Sequence, residues 1–137
     1  MTQTNSEKVR KFFDALAKGQ FPDDLLATDM EIWTLTSGRS ERARFEGGVK
    51  LLASIFRGTL SYTVDTLITE GDRVAAEVRS RGTLPNGEPY SNDHVFTFLL
   101  RDARIVSVRE YMNQTLVREK IVPQMQAAMT GVSPDSR

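Results

Sequence analysis

The chain has 137 residues, no cysteine, a single histidine, and 18 basic residues against 18 acidic ones. Without cysteine it can form no disulfide framework, thiolate zinc site or cysteine nucleophile, and one histidine removes the usual multi-histidine metal sites. Its balanced charge indicates no overall attraction to nucleic acid or to an anionic membrane. We therefore expect no metal, no cofactor, and neither nucleic acid nor membrane as a partner.

The length predicts one domain spanning residues 1–137, with a core large enough to fold without disulfides. The polar N-terminus lacks the apolar core of a signal peptide, and no apolar run approaches membrane-spanning length. The expectation is a cytoplasmic protein. We place its ordered core at about residues 6–122 and expect a weakly structured tail at 123–137.

Helical patterns dominate the first half of the chain. The first helix is indicated by an apolar stripe at i, i+3, i+4 and i+7, formed by Val9, Phe12, Phe13 and Leu16. Thr4 and Glu7 have the spacing of a capping box before that stripe, and Gly19 supplies a stop. The stretch F-P-D-D-L-L-A, residues 21–27, predicts a short second helix, and F-E-G-G-V, residues 45–49, leads into another.

Strand patterns fill the rest. Residues 30–36 predict a strand, residues 37–44 a polar loop, and an antiparallel meander follows at 60–69, 73–84, 90–100 and 105–112. Helices followed by a meander indicate an α+β fold, with the helices packed on one face of a bent sheet. Beyond the meander, Leu116, Val117 and Ile121 predict a short helix that Pro123 interrupts.

The turn after the second meander strand predicts which residues pair. Pro85-Asn86-Gly87 suits a three-residue loop with a bulge. Such a loop places Ser80 opposite Asn92 and Val78 opposite His94.

The turn at Asp102–Ala103 decides what lies across from His94. A three-residue loop places His94 opposite Glu110, whereas a two-residue loop places it opposite Tyr111. The three-residue loop also pairs Phe96 with Val108 and Phe98 with Val106. It lets all the even-numbered apolar residues of the meander share one buried face, so the pattern favours it.

One end of that buried face carries polar side chains, which predicts a small-molecule pocket with a polar tip. The polar and amphipathic candidates for ligand contact are Ser80, Asn92, Trp33 and Tyr62, and the candidates for chemistry are His94 and Glu110. The apolar candidates for ligand contact are Phe12, Phe56, Phe96, Val108 and Met112. We expect the partner to be a small apolar organic ligand.

The run Y-S-N-D-H-V-F-T-F-L-L-R-D-A-R-I-V-S-V-R-E-Y-M-N, residues 90–113, resembles the SnoaL-like branch of the NTF2-like, or ketosteroid isomerase-like, superfamily. The likeness covers roughly residues 6–118 in the order of elements. It implies a cone in which a curved antiparallel sheet wraps around N-terminal helices and leaves an interior cavity. Members are commonly dimers, and their activities include polyketide ring closure, steroid isomerisation, epoxide hydrolysis and dehydration.

The resemblance also tests those activities position by position. Two functional residues of limonene-epoxide-hydrolase-like members correspond to Val78 and Ser80, so epoxide hydrolysis is not favoured. The tyrosine and the base of ketosteroid isomerases correspond to a phenylalanine and a threonine, which cannot replace them. Polyketide cyclases use an acid/base histidine or aspartate in the cavity, and His94 with Glu110 matches that role best.

Three functions remain open on the sequence. The first is acid/base catalysis of isomerase, cyclase or lyase type on a small apolar substrate that bears a carbonyl or hydroxyl group, with His94 and Glu110 as catalytic residues. The second is a non-catalytic ligand carrier or sensor, in which His94 is a hydrogen-bonded core residue. The third is an interaction module that uses the outer face of the sheet. That face mixes Glu77 with Arg79 and Arg81, and mixed signs suit a homodimer across a two-fold axis.

Overall fold

The computed structural model describes residues 3–131. Its helices are α1 (Asn5–Ala17), α2 (Arg42–Phe56), α3 (Gln114–Leu116) and α4 (Val122–Thr130), with a π-helical turn (Val117–Ile121) between the last two. Its strands are β1 (Leu26–Thr34), β2 (Gly38–Glu41), β3 (Ser61–Glu70), β4 (Arg73–Thr83), β5 (Pro89–Arg101) and β6 (Arg104–Met112).

The six strands form one curved, open sheet in the order β2-β1-β6-β5-β4-β3, with the helices on its concave side. This confirms the predicted α+β fold, in which a curved sheet wraps around helices. The prediction of a purely antiparallel sheet is wrong in one place, because β1 pairs with β6 in parallel. The strand from the N-terminal half thus lies beside the last strand of the meander, and it joins the two halves of the chain in one sheet.

The first helix forms as predicted and supplies the main core. Thr4 caps it, because its hydroxyl oxygen accepts a hydrogen bond from the Glu7 amide at 3.1 Å and the Thr4 amide donates one to the side-chain carboxylate of Glu7. Its apolar stripe packs on the concave face, where the Phe13 and Phe96 rings meet edge to face with centroids 4.9 Å apart. Such aromatic pairs add about 0.5–1.5 kcal/mol beyond the area that they bury.

Residues 21–27 do not form the predicted short helix. They make a single turn in which the amides of Leu25 and Leu26 both donate to the carbonyl of Pro22, at 3.1 and 3.2 Å. Leu26 then begins β1, and both leucines are buried in the core. A segment this short gains little from helix formation, so tertiary packing decides its conformation.

Residues 37–44, predicted as a polar loop, instead form β2 and the first turn of α2. Arg42 explains the ordering, because its side chain pairs with Asp23 and Glu46, each at 2.7 Å. It also donates to the carbonyls of Leu26 and Ala27. The hydrogen bond to Glu46 is the main cause that raises the pKa of Arg42. A charged residue that the pattern assigned to solvent therefore fixes the start of α2 against β1.

The segment after β6 is helical to residue 130, and Pro123 does not interrupt it. The Val122 amide donates to the carbonyl of Val117, one residue further back than in an α-helix, and this wider turn immediately precedes the proline. Pro123 then sits in the first turn of α4, where its missing N–H costs nothing. The expected weak structure at 123–137 is thus wrong for 123–130, and residues 132–137 lie outside the described part of the chain.

The β4–β5 register is the predicted one, with Ser80 opposite Asn92 and Val78 opposite His94. Gly87 closes that turn in the left-handed conformation, with φ of 87°. The three-residue loop and its pairings are therefore confirmed.

The β5–β6 register differs from the prediction. The turn has two residues, Asp102 and Ala103, both with positive φ (51° and 67°), the geometry of a type I′ hairpin turn. One extra residue, Val106, then bulges out of the ladder and restores the alternation. As a result His94 lies opposite Met112, Phe96 opposite Glu110 and Phe98 opposite Val108. The predicted partners are wrong by two residues, yet Val108 still faces the core because the turn and the bulge compensate.

Within residues 3–131, no helix combines the length and the apolar character needed to cross a bilayer.

Candidate functional site

A cavity of about 690 Å³ lies between the concave face of the sheet, α2 and the C-terminal helices. This volume is within the range of small-molecule sites. Its walls are mainly apolar, and they include Val49, Leu52 and Phe56 from α2 and Ile121 and Met125 from the C-terminal helical segment. A ligand that enters this space leaves water for a predominantly hydrocarbon surface.

Three polar side chains are linked in a row on the cavity wall. The Nδ1 atom of His94 lies 2.8 Å from Oε2 of Glu110, and its Nε2 atom lies 2.7 Å from Oγ of Ser80. The His94 side chain is 7% exposed and that of Glu110 is 19% exposed. Both nitrogens of the buried imidazole therefore have a partner.

Strand geometry brings these side chains together. Ser80, His94 and Glu110 lie on the neighbouring strands β4, β5 and β6, and all three point to the concave face. His94 is diagonal to both others, because the residues directly opposite it are Val78 and Met112. Diagonal neighbours on one face of a sheet are within reach of long side chains. The predicted contact between His94 and Glu110 is thus present, although a different register produces it.

Two tyrosines line the cavity next to this row. Tyr62 lies directly opposite Ser80, and its ring centroid is 6.2 Å from that of His94. Burial, reinforced by the charge of Glu110, raises the pKa of Tyr62 strongly. Burial likewise raises the pKa of Tyr90, against a hydrogen bond from Asn92 that lowers it. Both phenols therefore keep their protons and can donate hydrogen bonds.

The Tyr62 hydroxyl has no hydrogen-bond partner among residues 3–131. It is therefore free to donate to a ligand.

Asn92 does not line the cavity and has a structural role. Its amide nitrogen donates to the Tyr90 hydroxyl at 2.8 Å and to the Asn113 carbonyl at 3.1 Å, and its oxygen accepts from the Asn113 amide. Asn92 is 4% exposed and fully engaged. It joins β5 to the start of α3 and aims the Tyr90 hydroxyl, so no group remains to orient a ligand.

Three other predicted ligand contacts do not line the cavity. Phe12 and Val108 are buried in the core. Trp33 faces the opposite side of the sheet, where its ring packs against Tyr111 and lies under the guanidinium of Arg109, 4.3 Å from the ring centroid. The predicted contacts that do line the cavity are Phe56, Tyr62, Ser80, Phe96 and Met112.

Sequence reasoning missed the opposite wall and the mouth of the cavity. Met125 and Met129 of α4 line it, but Pro123 obscured this helix in the sequence. Gly47 and Gly48 of α2 also line it, and a Cβ at either position would meet no described residue outside the helix's own backbone within 4 Å. No neighbouring group requires glycine at these two positions of the helix. Two adjacent glycines in a predicted helix were therefore a sign in the sequence that this part of α2 lines a cavity.

Arg44 stands at the same mouth, exposed, and makes no hydrogen bond or ion pair with another described residue.

No group of three or more histidine, cysteine, aspartate or glutamate side chains within residues 3–131 is arranged to hold a metal ion.

Comparison with known proteins identifies the family. The SnoaL-like domain profile matches residues 9–108, and the chain belongs to this family. No curated protein matches the sequence.

Among solved structures, the chain is similar to IdmH of Streptomyces antibioticus, a polyketide cyclase candidate. The TM-score is 0.75 at 20% identity, over 85% of this chain and 97% of that one. It is also similar to a ketosteroid isomerase-like protein of Catenulispora acidiphila solved with trimethylamine. There the TM-score is 0.65 at 17% identity, over 98% of this chain and 99% of that one. At these identities the likeness establishes the fold alone, and it confirms the predicted resemblance.

Proposed function

We propose that this SnoaL-like protein is an enzyme that moves a proton on a small, largely apolar substrate bearing a carbonyl or hydroxyl group. One observation carries the proposal: a buried histidine with a carboxylate on one nitrogen and a hydroxyl on the other, on the wall of an apolar cavity. Isomerases, cyclases and lyases of this kind all begin by removing or adding such a proton.

The hydrogen bonds define how His94 would act. An ionised carboxylate only accepts hydrogen bonds, so Glu110 holds the proton of the neutral imidazole on Nδ1 and leaves Nε2 as the base. A proton leaving the substrate then arrives at Nε2, either through the Ser80 hydroxyl or after that hydroxyl rotates away. The Glu110 carboxylate stabilises the imidazolium that forms. General acid/base catalysis of this kind contributes about 10²–10⁴ in rate.

The tyrosine hydroxyls would complete the site. A carbonyl that loses an α-proton develops negative charge on oxygen, and a neutral phenol is a suitable donor to that charge. Tyr62 and Tyr90 both line the cavity. The apolar walls would then hold the body of the substrate while these donors orient its oxygen.

The first prediction concerns proton transfer itself. Ketones, including a fused-ring ketone, are screened for binding by thermal shift and then incubated with the protein in D₂O. Proton NMR reports exchange at the carbon next to the carbonyl. We expect wild type to catalyse the exchange and His94→Gln, which keeps hydrogen-bonding capacity, to lower its rate about a hundredfold or more.

Glu110→Gln should lower the exchange rate less, because the histidine remains. Two controls match these variants. Asp93→Asn changes the neighbouring exposed residue on β5, and Glu77→Gln changes an exposed glutamate on β4. Ketones that bind wild type and His94→Gln equally and never exchange would contradict the proposal and leave a ligand-binding module.

A further inference from the structure

Ser80, His94 and Glu110 are connected in the order that activates a serine hydroxyl. With the proton of the neutral ring on Nδ1, facing Glu110, the Nε2 atom must accept a hydrogen bond, and its partner at 2.7 Å is Oγ of Ser80. In nucleophilic serine sites on unrelated folds, the serine hydroxyl donates to a histidine, and the histidine donates to a carboxylate. Ser80, His94 and Glu110 have this arrangement. It is recognised by geometry and not by position in the sequence.

We propose that Ser80 is a catalytic nucleophile, with His94 as its general base and Glu110 as the carboxylate that orients the base, and that the protein hydrolyses esters of apolar carboxylic acids. This activity goes beyond the proton transfer proposed above. It uses the same histidine with a different substrate class.

The surroundings of Ser80 suit this role. Ser80 is only 3% exposed, yet it lines the cavity, so a substrate there displaces the water that would compete with it. It belongs to β4, which is paired on both sides by β3 and β5, and this holds its backbone rigidly.

Tyr62 is placed to donate a hydrogen bond to the oxyanion that would form at the substrate carbonyl. It lies directly across the strand pair from Ser80, and its hydroxyl has no partner among the described residues. Since burial raises its pKa, the phenol remains a proton donor. We assign it the stabilisation of the oxyanion that forms when Ser80 attacks a carbonyl.

The reaction balances without any redox partner. Oγ of Ser80 attacks the ester carbonyl carbon, its proton passes to Nε2 of His94, and the carbonyl oxygen becomes an oxyanion near Tyr62. Collapse of this intermediate breaks the bond to the leaving alkoxide, which takes the proton from His94, and an acyl-serine remains. A water molecule then attacks the acyl group with His94 again as base, which releases the carboxylic acid and restores Ser80.

The second prediction tests the nucleophile directly. The protein is treated with a fluorophosphonate probe, the labelled residue is identified by peptide mass spectrometry, and hydrolysis of p-nitrophenyl butyrate and hexanoate is followed. We expect label on Ser80 and hydrolysis that falls about a thousandfold or to background in Ser80→Ala and in His94→Gln. The double variant should be no worse than either single one, because the residues act as a unit. Ser91→Ala, an exposed serine on β5, is the matched control and should hydrolyse like wild type.

A cysteine at position 80 keeps the test independent of how well Ser80→Ala folds. The chain contains no cysteine, so Ser80→Cys introduces a single thiol. A neighbouring histidine base increases the reactive thiolate fraction. Iodoacetamide should therefore alkylate Ser80→Cys at least about tenfold faster than the same thiol in a His94→Gln background, where access is unchanged.

The outcomes separate the two proposals. Ketone exchange without ester hydrolysis and without label on Ser80 overturns the nucleophile and leaves the proton-transfer function intact. Ester hydrolysis that requires Ser80, without ketone exchange, supports the nucleophile and overturns proton transfer. Equal labelling of Ser91 and Ser80, or a thiol rate independent of His94, also overturns the nucleophile.

Discussion

At the level of single residues, Tyr62, which we propose to stabilise an oxyanion, also affects the stability of the folded protein. Its ordinary pKa of 10 is raised in the folded protein, first by burial and then by the charge of Glu110. The folded state therefore holds the phenol proton more tightly than the unfolded chain does. The stability that this provides is fully present below the unfolded pKa, and it is lost as the pH rises above about 10.

The third prediction follows from this loss of stability at high pH. Wild type should lose free energy of unfolding between pH 8 and about 10.5, and Tyr62→Phe should lose up to about 1.4 kcal/mol less per pH unit above pH 10. Urea unfolding at the two pH values measures the difference. Tyr111→Phe is the control, because Tyr111 is 38% exposed on the outer face. A loss at high pH that is the same in wild type and Tyr62→Phe would contradict the assignment.

The sequence predicted part of this site for a physical reason. Alternation along a strand assigns each residue to a face, so Ser80 and His94 were correctly expected on the concave face. The contact of His94 with Glu110 was predicted through the wrong register. The alternation of apolar residues favoured a three-residue turn, and a bulge at Val106, which restores the alternation after a two-residue turn, leaves no mark in that pattern. Trp33 was misplaced, because an aromatic residue can cover either face of a sheet.

At the level of elements, α2 contains two adjacent glycines that the packing of the helix does not explain. Gly47 and Gly48 lie in the helix interior, where each costs about 0.5–1 kcal/mol relative to alanine. Among residues 3–131, apart from the backbone of α2 itself, a Cβ at either position would have no neighbouring atom within 4 Å, and both positions line the cavity. We interpret the pair as room kept for a ligand that lies against the helix backbone.

The fourth prediction tests this interpretation with Gly48→Ala. The variant should raise the free energy of unfolding by about 0.5–1 kcal/mol, yet weaken binding of any cavity ligand found by thermal shift. Gly82→Ala is the contrasting variant, because there a Cβ would lie 2.4 Å from the Phe56 ring, and it should be destabilised. A Gly48→Ala protein that gains stability and binds as wild type would show that the space is not used.

Element boundaries were predicted well where turn residues mark them and poorly where tertiary contacts decide. The four strands of the meander are flanked by glycine, asparagine or aspartate, and each begins or ends within about two residues of the prediction. The ordering of residues 37–44 depends on Arg42, which contacts residues from β1 and the turn before it. No local pattern reveals such a contact.

At the level of the whole molecule, the outer face of the sheet combines apolar and charged groups. Val95 and Tyr111 face each other across β5 and β6 and are 41% and 38% exposed. Trp33 packs beside Tyr111. Arg79, expected to contribute to a partner contact, is already bound to Asp65 within the chain at 2.8 and 2.9 Å. The proposal that this face forms a homodimer contact therefore depends more on its apolar patch, Trp33, Val95 and Tyr111, than on its charged residues.

The fifth prediction is a homodimer through this face. Sedimentation should show a dimer for wild type and a monomer for Val95→Glu, because a buried carboxylate at the centre of a two-fold interface meets its own copy. Ile68→Glu is the control, since Ile68 is 64% exposed on β3, near the edge of the sheet. A wild-type monomer at high concentration would refute the dimer.

The parallel pairing of β1 with β6 also sets the order in which the molecule can assemble. Strands β3 to β6 are joined by tight turns, so their contacts are local and close quickly. Leu26, in contrast, pairs with Ile105, and β1 has only the short β2 beside it until the last strand exists. During synthesis we therefore expect the apolar side chains of α1 to stay uncovered until β5 has emerged, and those of β1 until β6 has emerged. Chaperone binding to nascent chains should be strongest in that interval.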